Sequence, residues 1–467
     1  MLVVTAMGLL VAAVIVHGSL KMELLLAGIA FMGIGCAYPQ VILWSIVVCT
    51  VFFSETRYGI DSPSVFRLGS YILDPFRLNV YELLIYSLFL VLVLRRLISR
   101  PRTVLPRSVT VPSLAFAALY ALQLVRGLAG GNPYGELVHF FNGKFVLAGL
   151  AALYCFLQLL GTPKMRLRLL DVLFVLASCR AAYALINYFF GSGDAANVYR
   201  SEAVSVAKVA LWESADHMLF TLLIAVAIAG WATRRISRGR AVLYMAAALP
   251  LALTVMLSFR RTGWLGLVLA LVVLVAFLAG RSRRILALLP AAGAAAGAVL
   301  SLSYRRFPGT GGLLSRLFPD LAATGVASRP EEWALAWRTI AGNPFVGDLV
   351  ARRAGSSLYY WDTRVVHNAV LFAWMKFGLL GMLSVGFLVF ACIRFAVRAV
   401  SCRSAEEHVA LAVVAIVPFA AMLTITGTPL IEIRMILVLA MAGALGVLVG
   451  SAAKDNPGHD PALGRAD

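Results

Sequence analysis

Apolar runs about as long as a bilayer is thick dominate this chain and decide most of what it can become. They fall at residues 1–17, 20–36, 39–54, 78–98, 111–128, 139–160, 168–190, 214–233, 240–257, 262–280, 284–304, 367–393, 406–425 and 430–450. About 17–25 apolar residues in a helix cross the hydrocarbon core, and a helix satisfies its own backbone groups where no water can. The chain is 61% hydrophobic and 13% charged, against ~45–50% and ~25% in soluble domains, which excludes a water-soluble fold. The expected fold is therefore all-α: a polytopic integral membrane protein with about 12–14 transmembrane helices, the first two runs being short for a span. Transmembrane helices fill 1–304 and 367–450, one large loop with short helices fills 305–366, and 451–467 is a tail. Met1–Val16 lacks a basic start and an A-x-A cleavage site, so it reads as a first membrane helix and not as a signal peptide.

Forty-one Lys and Arg against 22 Asp and Glu give a formal charge of +19. The basic residues cluster between apolar runs, which is the pattern that orients a membrane protein, and no nucleic-acid partner is needed to explain it. Arg95, Arg96, Arg100, Arg102 and Arg107 form one cluster, and Lys164, Arg166 and Arg168 the next. Arg234, Arg235, Arg238 and Arg240 follow, then Arg281, Arg283 and Arg284, then Arg394, Arg398 and Arg403. Each cluster lies two runs beyond the last, so all five share one side, the cytoplasm, with both termini. Segments 55–77, 129–138, 191–213, 258–261 and 305–366 then face the periplasm. Cys36, Cys49, Cys155, Cys179, Cys392 and Cys402 show neither a disulfide framework nor C-x-x-C spacing.

That outer side ought to be poor in Arg and Lys, yet it is not. Segment 305–366 carries Arg305, Arg306, Arg316, Arg329, Arg338, Arg352, Arg353 and Arg364, and Arg260 with Arg261 fill a tight turn between two runs. Cations placed against the topological preference point to an anionic ligand. A loop arginine can also pair with a loop carboxylate or a lipid headgroup, although Arg260 and Arg261 have no acidic neighbour in sequence. Within the loop, Ser328 and Glu331 have capping-box spacing, Pro330 suits a first helical turn, and Asn343-Pro344 marks a stop. Trp333, Trp337 and Ile340 recur at helical spacing, which predicts a short amphipathic helix packed by that face. Its N-terminus, bearing Arg329, would suit an anion, and its Trp pair would also serve as an interfacial anchor.

The loop ends in Trp361-Asp362-Thr363-Arg364-Val365-Val366-His367-Asn368, directly before an apolar run. A histidine at that boundary can act as a base near neutral pH, and it also reads as a hydrogen-bonded interface residue. The other histidines (His17, His139, His217, His408 and His459) make no metal-ligand spacing. No D-x-D pair, phosphate-binding G-x-x-x-x-G-K-[ST] loop or G-x-S-x-G elbow occurs, so no cofactor or metal is called for.

These residues resemble the bacterial O-antigen ligases and the related bactoprenol-linked polysaccharide polymerases. His367 and Asn368, then nine residues, Gly378, two residues and Gly381 match the ligase signature in full. Ser258-Phe259-Arg260-Arg261-Thr262-Gly263-Trp264-Leu265 is similar to the Ser-x-(Ser)-Arg-Gly-x-Trp-Leu stretch of that family, with Arg260 in place of a small residue. Ser328-Arg329, Trp333, Asn343-Pro344 and Gly347 follow its Arg–Trp–Asn-Pro–Gly pattern, while Lys376 stands where Glu is frequent. The resemblance implies a metal-independent, inverting glycosyltransferase of the bacterial inner membrane, acting at the periplasmic face in surface polysaccharide assembly. A glycan on undecaprenyl diphosphate would be the donor, and another glycan or lipid A core the acceptor. It implies His367 as the catalytic residue and Arg261, Arg329 and Arg260 as the diphosphate-binding ones. The run count and the Arg260–Arg261 pair lean towards polymerase. The alternative is a lipid-linked glycan flippase or other transporter, for which Arg180 and the Glu432/Arg434 pair would be the telling residues.

Overall fold

The computed structural model describes residues 33–53, 78–99, 105–139, 142–190, 214–258, 261–279, 329–352, 365–427 and 429–455. Expected runs 1–17 and 284–304, residues 20–32 of the run 20–36, and tail residues 456–467 lie outside them. The rest is helical as expected. Its helices are α1 (Pro39–Phe52), α2 (Val80–Ser99), α3 (Arg107–Ala129), the single turn α4 (Tyr134–Leu137), α5 (Phe145–Leu159), α6 (Pro163–Phe190) and α7 (Ser214–Thr233). Then come α8 (Arg238–Leu257), α9 (Arg261–Leu278), α10 (Arg329–Gly342), α11 (Ala369–Ser401), α12 (Glu407–Ala415), α13 (Val417–Thr426) and α14 (Ile433–Asp455). Among the described residues seven segments are long and apolar enough to span a membrane; α12 and α13 count as one of them, and α1, α5 and most of α9 are shorter apolar helices.

Composition around each helix decides its place. α7 is apolar on every side and rich in Ala, so it is buried nearly throughout, and α14 is mostly buried too. α3 and α11 keep large apolar side chains such as Leu114, Leu122, Phe387 and Phe390 exposed, as helices facing lipid do.

Charged side chains sort the bundle into two ends. At one, Arg166 bonds Glu406, Arg240 bonds Asp171 (3.0 Å), and Arg235 donates to the carbonyl of Arg403 (3.0 Å). Three of the five basic clusters thus meet at one end. At the other end Asp216, the third residue of α7, meets Arg180 of α6 (3.3 Å) and Arg434 of α14 (2.5 Å), all fully buried. Arg434 also donates to the carbonyl of Thr50 in α1 (2.8 Å), so one carboxylate and two guanidiniums tie four helices. Ion pairing inside the bundle accounts for Arg180 and Arg434, and the partner they share is Asp216.

Candidate functional site

The second end is also where α10 docks. Ala336 and Ile340 of α10 pack with Val366, Leu371, Phe372 and Met375, and the turn Pro429–Ile431 before α14 closes the cluster through Leu430 and Ile431. The expected helix in 305–366 is present, but its buried ridge differs from the expected one. Glu332, Ala336 and Ile340 form that ridge, with Trp333 packed beside it as expected, while Trp337 stays 47% exposed and meets Trp374 edge-on at 5.0 Å. Small Ala336 at the centre lets the two helices approach, which a ridge centred on Trp337 would prevent. Ser328 of the expected capping box lies outside the described residues.

Glu332 is a carboxylate fully buried on that ridge, and it holds the histidine. Its Oε1 accepts the main-chain N–H of His367 (2.9 Å) and lies 3.2 Å from His367 Nδ1. The imidazole is one-third exposed. Asn368 is the N-cap of α11: its Oδ1 accepts from the N–H groups of Val370 (3.0 Å) and Leu371 (3.1 Å). The His-Asn step therefore combines a histidine outside the helix with the residue type that best starts one.

The motif glycines explain themselves as packing. α11 breaks at Gly378, whose φ of 65° and ψ of −179° lie in a region nearly confined to glycine. The loop after α10 enters the break. Leu379 and Leu380 N–H donate to the carbonyls of Pro344 (2.9 Å) and Phe345 (3.2 Å), and Asp348 N–H donates to that of Met375 (3.1 Å). A Cβ on Gly378 would lie 2.2 Å from the Phe345 oxygen, and one on Gly347 (φ +73) 2.3 Å from the Gly378 nitrogen. Trp374 Nε1 donates to the Pro344 carbonyl (2.8 Å), and Gln123 of α3 donates to that of Val346. Lys376, the departure from the family pattern, is fully buried and binds Asn142 Oδ1 (2.9 Å) and the carbonyls of Leu349 (2.9 Å) and Ala351 (2.6 Å). It clamps the loop from beneath.

The other motif closes the turn between α8 and α9. Arg261 is the first residue of α9, where its backbone is placed; Arg260 lies outside the described residues. Gly263 leaves room for the ring of His217, since a Cβ there would lie 2.2 Å from His217 Cδ2. His217 Nε2 is 2.9 Å from Ser258 Oγ, and Trp264 Nε1 donates to the Met256 carbonyl (2.9 Å). His217 follows Asp216, so the buried charge network and this turn share the first residues of α7. Both lie at the same end as His367, because Arg434 comes three residues after the Pro429–Ile431 turn that seals α10.

Of the four residues singled out from sequence, Arg329 is the first residue of α10, one turn from the Glu332 that holds His367. Arg261 stands at the start of α9, and Arg260 is undescribed. Sequence reasoning missed Glu332, Asp216 and His217. For Glu332 a signal existed, since 332, 336 and 340 step by four along one helix face.

Together these features define a polytopic, all-helical membrane protein with a polar site at one end of its bundle. Residues 246–386 match the family model described as O-antigen ligase. That match supports placing the chain in the O-antigen ligase-like superfamily, with a ligase- or polymerase-type role in polysaccharide assembly. It covers Ser258, Gly263, Arg329, His367, Gly378 and Gly381. Members transfer glycosyl groups, and their partners in general are a lipid-linked glycan and a polysaccharide acceptor. No curated protein matches the chain.

Proposed function

We propose that this protein moves a glycan from undecaprenyl diphosphate to an acceptor hydroxyl at the periplasmic face of the bacterial inner membrane. The observation that supports this best is the docking of α10 on α11. Arg329 begins the helical turn whose Glu332 holds His367, just before the start of the next helix. The acceptor oxygen attacks the anomeric carbon from the face opposite the diphosphate, the bond to the diphosphate oxygen breaks, and the configuration inverts. His367 takes the hydroxyl proton, a contribution of ~10²–10⁴-fold for a positioned base. Arg261, Arg329 and Arg260 meet the charge that develops on the leaving diphosphate; guanidinium suits it because it grips two oxygens at once. Loss of either Arg261 or Arg329 should cost about 2–4 kcal/mol of transition-state stabilisation, as for one oxyanion donor.

Purified protein incubated with lipid-linked repeat units, with and without lipid A core, tests the reading. A ladder of longer lipid-linked chains marks a polymerase, and transfer only to the core marks a ligase. Translocation of the lipid-linked glycan in proteoliposomes without transfer would favour a flippase and defeat the proposal. His367→Gln keeps a hydrogen bond but cannot serve as a base; transfer at nearly the parent rate would end the base assignment.

A further inference from the structure

We infer that Glu332 is the positioning residue for His367: it holds the imidazole in the Nδ1–H tautomer and so makes Nε2 the proton-accepting nitrogen. The inference rests on the catalytic reading of His367 and adds which ring atom acts and what sets it.

The geometry carries it in two steps. Glu332 Oε1 lies 2.9 Å from the main-chain nitrogen of His367, and a main-chain N–H can only donate. That oxygen is therefore an acceptor, and Nδ1, 3.2 Å from the same atom, meets it as a donor. A neutral imidazole protonated on Nδ1 carries its lone pair on Nε2. The two contacts also fix the ring, one through the backbone and one through the side chain, so neither rotation about χ1 nor a ring flip leaves both intact.

A purely structural role fits Glu332 poorly. It is fully buried, and its second oxygen, Oε2, has no hydrogen-bond partner among the described residues. An unsatisfied buried carboxylate oxygen costs stability, and a neutral or apolar residue of similar size would avoid that cost. The rest of the ridge, Ala336 and Ile340, already docks α10. Arg329 does not relieve the acid through Nε, which is likewise buried without a partner among the described residues. A buried acid kept despite its cost, with its one engaged oxygen on a histidine at the helix start, matches the arrangement in which a carboxylate orients a base.

Nitrogen-15 NMR of the purified full-length protein labelled in histidine reads the tautomer directly, at pH 8.5, with the His367→Gln spectrum identifying the signals of His367. The expected parent spectrum shows Nδ1 protonated and Nε2 unprotonated. A ring protonated on Nε2, alone or together with Nδ1, overturns the inference whatever the activity. Glu332→Gln retains an acceptor facing the main-chain N–H, so it should keep the tautomer and a fraction of the turnover. Glu332→Leu should scramble the tautomer and lower kcat on the order of 10²-fold, as for loss of the base itself, with KM for the lipid-linked donor nearly unchanged. Equal spectra and equal kcat in Glu332→Leu and the parent overturn the inference as well. If His367→Gln were fully active, the catalytic reading would fall while the tautomer assignment stood, so the two failures are separable. A melting curve accompanies each variant, and the parent spectrum needs no variant to fold.

Discussion

Gly378→Ala should cost far more than a methyl group in a helix ordinarily does. The parent residue has φ 65° and ψ −179°, and holding an L-residue there costs about 1–3 kcal/mol. The added Cβ would also lie 2.2 Å from the Phe345 oxygen and 2.4 Å from the carbonyl carbons of Phe345 and Val346, which are backbone and cannot swing aside. The loop must back away. In doing so it strains or breaks the bonds from Leu379 to Pro344 (2.9 Å), from Leu380 to Phe345 (3.2 Å) and from Asp348 to Met375 (3.1 Å). At about 1 kcal/mol net for each bond, the total destabilisation is roughly 4–6 kcal/mol. Gly386, further along α11, provides the control: it is exposed, helical, and beyond its chain neighbours and its own helix backbone no described residue lies within 4 Å of an added Cβ. There the same substitution should be neutral or stabilise by about 0.5–1 kcal/mol, as Ala does over Gly in a helix interior. Thermal unfolding in detergent compares the two directly, with glycan transfer measured alongside. Gly378→Ala should melt well below Gly386→Ala and lose transfer. Coincident melting curves would refute the account of the helix break.

Gly263→Ala should destabilise by about 1–3 kcal/mol, because its Cβ would lie 2.2 Å from the His217 ring. In a His217→Ala background that penalty should vanish, so an equal loss in both backgrounds would show that the glycine serves some other purpose. The sidedness in the proposed function is checked by labelling spheroplasts with a membrane-impermeant maleimide, using single cysteines in a cysteine-free background. Ala341→Cys, at the exposed end of α10, should react from outside while Cys402, beside the basic cluster at 394–403, should not; the reverse pattern would overturn the orientation.

Hydrophobic run length carried the helices. Runs 111–128, 214–233 and 240–257 appear as α3, α7 and α8 with ends shifted by no more than a few residues, since a span must be apolar over a length that the bilayer sets. Run length could not register where helices break or continue. α11 runs on to Ser401, past the apolar stretch, because Arg394 and Arg398 can reach water from a helix that leaves the membrane. Nor could it register the interruption at Gly378, which takes no residue out of the run and depends on a loop that arrives from α10.

The candidate site stood out where an arrangement follows from neighbours in sequence, and stayed hidden where it follows from partners far along the chain. His367-Asn368 stood out at a boundary between loop and span, and Arg329 at a helix start, because both positions are local. Asp216 is the single acid of run 214–233; its meaning comes from Arg180 and Arg434, 36 and 218 residues away. Glu332 was masked differently. Its neighbours Trp333 and Trp337 suggested an aromatic face, and large apolar residues usually mark the buried side. Here the close approach of α10 to α11 demands the small side chain of Ala336 at the centre, which turns Trp337 outward and brings an acid inward. A carboxylate is tolerated at such a place only if something satisfies it, and the main chain of His367 does so for one oxygen. The same packing that hid Glu332 from a pattern of hydrophobicity thus gives it a hold on the histidine.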